Sequence, residues 1–383
     1  MRHYLDHNAT APLRPEVIDI IAETMRHDGN SLSVHEEGRH AHKIVEDARE
    51  QVRALVNAPV NSVIFTSGGT ESIHYALHGC LRPHNIKRIL VSAIEHSAVS
   101  ANAASTGTEV EIIPARASGV VDLDWLKDRL KEYDVTREGG FLVCLMFANN
   151  ETGVLQPVHE AADIAHDAGG LLFCDAAQAA GKVPVNFVMS GADMMSLTGH
   201  KYGGPAGVGA LIAGPNLPLE PVMRGGGHES NRRAGTHNVP AIAGLGLASE
   251  MAKQSLARAG EIAALRDRMQ DAAISAGAKI WGGDQERLPG TLCLSAPGFS
   301  GETQLMTMDL AGIAISAGSA CSSGKTKPSH VLTAMGASGD DATSAIRVSL
   351  GWNSTTKDAD AFIREWPKAY DRIKARSQLE GAA

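Results

Sequence analysis

The sequence predicts an α/β protein, with a large domain built on a mostly parallel seven-stranded sheet and a smaller α+β domain following it. Three observations carry that prediction. From Pro15 to about residue 215, near-continuous apolar runs alternate with amphipathic helical patterns, which is how a sheet covered on both faces reads. A helical pattern then runs from Val239 to Gly277, and patterns of that length usually bend or pass from one domain to the next. The chain of 383 residues is also too long for one small core.

In chain order, the expected strands of the large sheet are SVIFTS (62–67), KRILVSA (87–93), EVEIIPA (109–115), FLVCLMF (141–147), GLLFCDA (170–176), MMSLT (194–198) and VGALIAG (208–214). Helices such as TESIHYALHGCL, VDLDWLKDRLKEY and HEAADIAHDAG lie between several of them. MMSLT and VGALIAG are Gly-flanked and follow each other closely, so both are candidate exceptions to the parallel order. After the long helical pattern come shorter strands, TLCLSA (291–296) and AIRVSLGW (345–352), with helices GETQLMTMDLAG and DADAFIREWPKAYDRIKAR. The expected division is a large domain over 14–257 and a small one over 258–383, joined by the N-terminal segment 1–13.

Composition narrows the function classes. A net charge of −8 offers no general attraction to nucleic acid or to anionic membranes. No apolar run reaches membrane-spanning length, and MRHYLDHNAT lacks a signal-peptide core, so a cytoplasmic location is the default expectation. The 40 glycines cluster in short runs between apolar segments, a pattern that suits backbone approaching a ligand. Of the five cysteines, Cys80, Cys144, Cys174 and Cys293 have apolar neighbours and read as buried structural thiols. Cys321 sits in the Gly/Ser-rich stretch AGSACSSGK, which reads as an exposed loop where a thiol could react. No pair has CxxC spacing, and His35, His40 and His42 read as surface groups; no metal is expected.

Ligands of open parallel sheets bind outside the carboxyl ends of the strands. There the sequence places Thr70, His96, Asn150, Asp175, Gln178, His200 and Lys201. SGGT at 67–70 opens a helix, whose free N–H groups and dipole suit a phosphate; the alternative is a Ser/Thr cap with no ligand. Lys201, in GHK before YGGPAG, is either a solvated charge or an enclosed amine able to form a Schiff base. Asp175 is either a helix cap or a carboxylate that keeps a pyridine nitrogen protonated.

Taken together, YLDHNATAP, FTSGGTES, EHSAV, ANNETGVLQPV, DAAQ, GHKYGGPAGVGAL, GGGHE…RRAGTHNVP, SAGSACSSG, PSHVL and AIRVSLG resemble the class V aminotransferase family, in the family's order. The last several are similar to its cysteine desulfurase branch. The resemblance implies fold type I of the pyridoxal-phosphate enzymes, a homodimer, and transfer of sulfur from L-cysteine to an acceptor protein such as an iron–sulfur cluster scaffold. It implies that Lys201 bonds to the cofactor, that Asp175 partners the pyridine nitrogen, that Gln178 contacts the ring hydroxyl and that His96 stacks on the ring. Gly69, Thr70, Thr198 and His200 match phosphate contacts, and Thr236 a phosphate contact donated by a second subunit. Asn150 and Arg347 match the residues that hold the substrate carboxylate, and Cys321 the nucleophile that becomes a persulfide. The chain departs from the family pattern at His74, Thr198, Ser230–Asn231 and Gly290, and Lys325 and Lys327 make the thiol segment locally basic. Competing readings are a selenocysteine lyase or another β-elimination, which could dispense with Cys321, and a non-catalytic scaffold of the same fold.

Overall fold

The computed structural model describes residues 2–317 and 328–381. Seven strands form the large sheet: β1 (Val63–Thr66), β2 (Ile86–Ser92), β3 (Glu109–Ile113), β4 (Gly140–Met146), β5 (Leu171–Asp175), β6 (Met194–Thr198) and β7 (Gly209–Ala213), in the order β1-β7-β6-β5-β4-β2-β3. Alternate residues serve opposite faces. Phe141, Val143 and Leu145 enter the core on one side, while Leu142 and Cys144 enter the core on the other. Burial on both sides is why these strands read as continuous apolar runs.

The strand positions match expectation to within two residues at each end, with β2 and β4 starting one residue earlier. One expectation about direction needs correction. MMSLT is not an exception to the parallel order: β6 pairs parallel with β5, and only β7 runs antiparallel to both its neighbours. The physical reason lies in the connections. Residues 176–193 include the helix Phe187–Ser190 and carry the chain over the sheet. Residues 199–208 hold only the single 3-10 turn Gly199–Lys201, so β7 folds straight back.

Four helices matter most for the site. Helix α1 (Gly69–Gly79) follows β1, and α2 (Ser97–Ser105) follows β2. The long helical pattern becomes α3 (Val239–Ser255) and α4 (Ala259–Ser275), bent at a 3-10 turn over Leu256–Arg258. Beyond the bend, β8 (Lys279–Trp281), β9 (Thr291–Ser295), β10 (Ser316–Ala317) and β11 (Ala345–Ser349) form an antiparallel sheet in the order β10-β11-β9-β8. Between β10 and β11 lies the short helix α5 (His330–Ala334), and α6 (Thr356–Gly381) closes the chain.

The second sheet has its own core, in which Leu292, Leu294, Ile346 and Val348 meet Phe362 and Trp366 from α6. Trp366 stacks on Phe362 at 5.8 Å between ring centroids, and its indole N–H donates to Gln304 Oε1 at 2.9 Å, so this large buried ring leaves no polar atom unpaired. The N-terminal segment joins this core through Leu5, with His3–Tyr4 pairing parallel to Ile313–Ala314. His7 lies buried over Gly351, where a Cβ would come within 2.0 Å of its Nδ1. Burial lowers the His7 pKa to about 3.

Cys80, Cys144, Cys174 and Cys293 are buried free thiols, as expected, and burial pushes Cys80 up to about 12. His35 caps the helix Glu36–Leu55 from an exposed position, and His40 and His42 are exposed. Among the described residues, no helix is long and apolar enough to cross a membrane.

Candidate active site

A cavity of about 550 Å³ opens at the carboxyl ends of the large sheet's strands, and most of the expected residues line it. Gly69, Thr70, His96, Asn150, Asp175, Gln178, Thr198, His200, Lys201 and Arg347 all face it. Thr236 does not: it is exposed, away from the cavity of its own chain. Cys321 lies outside the described residues. The described residues on either side of it reach the cavity, since Ser316 bonds to Arg347 and His330 is part of the lining.

At the phosphate end, α1 starts at Gly69 after Gly68, which adopts φ 152°. No side chain caps this helix, so the Ser/Thr cap considered from sequence is not made and the first N–H groups stay available. Thr198 packs against Gly69, where a Cβ would sit 3.6 Å from the threonine Cβ. His200 approaches Thr10 at 3.3 Å, and burial, then Lys201 and Lys182, bring its pKa down to about 4.

Asp175 ends β5 with one carboxyl oxygen fixed, accepting from Ser196 Oγ at 2.7 Å and from the Ala177 amide at 3.0 Å. The second bond has the form of the helix-cap contact considered from sequence. Nearby, fully buried Glu95 accepts from the Met146 amide at 2.6 Å. Burial, and then the proximity of Asp175, push the Glu95 carboxyl well above the usual range. His96 caps α2, its Nδ1 accepting from the Ala98 amide at 3.1 Å. That bond fixes the tautomer of the neutral ring, with the proton on Nε2. Burial lowers the His96 pKa; Asp175 opposes the shift, while Lys201 and His330 add to it.

Lys201 Nζ donates to the carbonyls of Asn8 and Ala9 at 2.7 and 2.9 Å. Gln178 Nε2 donates to the same Asn8 carbonyl at 2.8 Å. Arg347, on β11, donates to the Asn150 carbonyl at 3.1 Å, to Asp6 at 2.9 Å and to Ser316 Oγ at 3.0 Å. Its buried Nε has no partner among the described residues.

Sequence reasoning missed several residues of this site. Asn8 stood in the quoted YLDHNATAP motif without a role, yet its carbonyl meets both Lys201 and Gln178. The Lys182 ammonium is enclosed, donating to Asn8 Oδ1 at 2.8 Å and to Gln178 Oε1 at 2.6 Å. Burial, then Lys201 and Arg347, hold its pKa well below the usual lysine value. Glu151 accepts from Ser329 Oγ at 2.5 Å, and His330 Nε2 meets the Glu95 carbonyl at 2.9 Å, so the start of α5 is tied to the large-sheet side of the cavity. The spacing of Lys182 four residues after Gln178 was the one available signal.

The departures from the family pattern have local explanations. Gly290 is required, because a Cβ there would lie 2.5 Å from the Leu350 carbonyl oxygen. His74 bonds to Asn102 at 2.8 Å, outside the cavity lining. Ser230 and Asn231 follow Glu229 through a left-handed turn, with φ of 50°, 55° and 66° along the three. The Glu229 carboxylate, although buried, is held at a pKa of about 2 by His237 and Arg49.

This donor set fits pyridoxal phosphate. An uncapped helix start with two threonines and a histidine suits the phosphate, a fixed buried carboxylate suits the ring nitrogen, and Lys201 supplies an amine. Fold and site together define a class-V aminotransferase: the family model, "Aminotransferase class-V", matches residues 3–362, and the chain belongs to that family. Within it the relatives are desulfurases. The chain is 38% identical to "Cysteine desulfurase" of Cereibacter sphaeroides, over 98% of this chain and 97% of the relative. It is 37% identical to "IscS-like cysteine desulfurase" of Mycobacterium tuberculosis, over 99% and 98%. Among solved structures, it matches a NifS-like protein from Rickettsia africae with a TM-score of 0.89 and 32% identity, over 97% of this chain and all of the other.

Proposed function

We propose that this chain is a pyridoxal-phosphate-dependent cysteine desulfurase, converting L-cysteine to L-alanine while Cys321 takes the sulfur as a persulfide. The observation that carries the reading is the convergence of Lys201, Asp175, Gln178, His96 and Arg347 on one cavity. Pyridoxal phosphate, when bound, supplies an aldehyde that condenses with amines and a protonated ring that draws electron density from the substrate Cα.

The chain's own residues do the rest. The start of α1, with Gly69, Thr70, Thr198 and His200, binds the phosphate, while Asp175 keeps a proton on the ring nitrogen. Gln178 meets the ring hydroxyl and His96 stacks on the ring. Arg347 pairs with the substrate carboxylate, and the Asn150 side chain assists. This orientation places Cα near Lys201 Nζ, the base that moves the Cα proton. The Cys321 sulfur attacks the substrate sulfur: the S–S bond forms, the Cβ–S bond breaks with its electron pair going to Cβ, and a proton completes alanine. The flanking contacts at Ser316 and His330 support reach of Cys321 to the cavity.

The same reading takes the protein as a cytoplasmic homodimer in which exposed Thr236 serves the partner's phosphate, and which delivers sulfur to an acceptor protein such as an iron–sulfur scaffold. It divides the chain at 257/258, which the separate core of the second sheet supports. The test is to incubate purified protein with L-cysteine and a thiol reductant, following alanine and sulfide, with Cys321→Ser alongside. Equal amounts of both products from the wild type and neither from the variant are expected; alanine formation independent of Cys321 overturns the reading.

A further inference from the structure

One ammonium group contacts two of the amides at the cavity floor. Lys182 Nζ lies 2.8 Å from Asn8 Oδ1 and 2.6 Å from Gln178 Oε1, and neither partner is a carboxylate. Lys182 Nζ donates in both contacts, so both amides turn their oxygens to it and their NH₂ groups away. The Asn8 NH₂ then reaches the Asn150 carbonyl at 3.2 Å and Thr291 Oγ1 at 2.9 Å. One hydrogen of the Gln178 NH₂ goes to the Asn8 carbonyl at 2.8 Å, and the other remains for the cavity that Gln178 lines. The Asn8 carbonyl, which can only accept, asks for the same orientation, so the Gln178 amide is held from both ends, its oxygen by Lys182 and its NH₂ by Asn8.

We propose that Lys182 is a positioning residue that, together with the Asn8 carbonyl, holds the polarity of the Gln178 amide, so that a bound cofactor's ring oxygen meets an N–H donor rather than a carbonyl oxygen. This deepens the functional reading above and rests on it. Lys182 acts through Gln178. The alternative is purely electrostatic. Lys201, Arg347, His200 and His7 all lie within reach of Lys182, so its charge could act on the site without involving the amide.

A double-variant cycle on the cofactor-loaded protein separates the two, using the pH midpoint of the bound cofactor's visible band and the cofactor's Kd, without cysteine. Lys182→Met is expected to weaken cofactor binding by about tenfold, the effect of losing one good hydrogen bond. It is also expected to move the midpoint by about half a pH unit or more. Added to Gln178→Ala, it should change neither value further. An undiminished effect of Lys182→Met in the Gln178→Ala background, or no effect in the wild type, overturns the proposal. Should Lys182→Met fail to fold, Gln178→Glu tests the same polarity by turning an oxygen toward the ring: about tenfold weaker binding is expected, and wild-type affinity overturns the proposal. Absence of any visible band from the wild type with pyridoxal phosphate would sink the underlying cofactor assignment as well, whereas failure to release alanine from cysteine with the band intact would sink only the desulfurase reading.

Discussion

The two walls of the cavity are built differently. On the large-sheet side, Asp175, Thr198 and Lys201 sit at or just beyond strand ends, each placed by a strand packed on both faces. On the second-sheet side, Arg347 is aimed by partners far away in sequence: Asp6, Asn150 and Ser316. The first wall is rigid by local architecture; the second depends on contacts that span the chain. In the proposed reaction the first handles the cofactor and the second the substrate, so damage to each should leave a different signature.

The largest expected effect tests the first wall. Lys201→Ala should cut alanine formation by on the order of a thousandfold or more and abolish the covalent cofactor band, checked by product assay and absorbance. Next comes the second wall's support. Trp366→Ala empties a buried ring site and should cost about 3–5 kcal/mol, read from denaturant unfolding. If the walls are independent, the visible band should survive in the fraction that stays folded. Arg347→Lys keeps the charge but loses the planar fork, and should raise the KM for cysteine by roughly tenfold to a hundredfold with little change in the cofactor spectrum. A spectral change as large as that of the Lys201 variant would break the distinction between the walls.

The smallest effect concerns pH. His7 is neutral in the folded protein down to about pH 3, whereas an unfolded histidine protonates near its ordinary pKa of about 6.5. The unfolded state therefore binds more protons between these values, and stability should fall as pH drops through that window. The slope approaches about 1.4 kcal/mol per pH unit for one such histidine. Urea midpoints measured at several pH values on wild type and His7→Gln check it; the variant should show the shallower dependence.

How much of this was legible in the sequence follows from the physics of each feature. Strands buried on both faces announce themselves as apolar runs, and all seven were found. The direction of MMSLT was not legible, because pairing sense is set by how the connection crosses the sheet, and close spacing marked it as an exception alongside VGALIAG, which alone proved to be one. Asp175, Lys201 and Arg347 were legible as charged or polar residues within a recognisable ordered set of motifs. Lys182 and Glu95 were not, since a lysine after glycine reads as a surface charge and a glutamate beside a histidine as a solvated one. Only the packing shows that both side-chain ends are enclosed.

The amide at Asn8 has a consequence for the order of events during synthesis. Asn8 leaves the ribosome well before its partners, since its backbone N–H goes to Ser349 Oγ and its side chain to Thr291. The floor of the cavity is thus incomplete until Ser349 has emerged. A nascent large sheet, however well folded, holds an unfinished cofactor site. Capture of the cofactor in its final geometry then reports that β11 has been made.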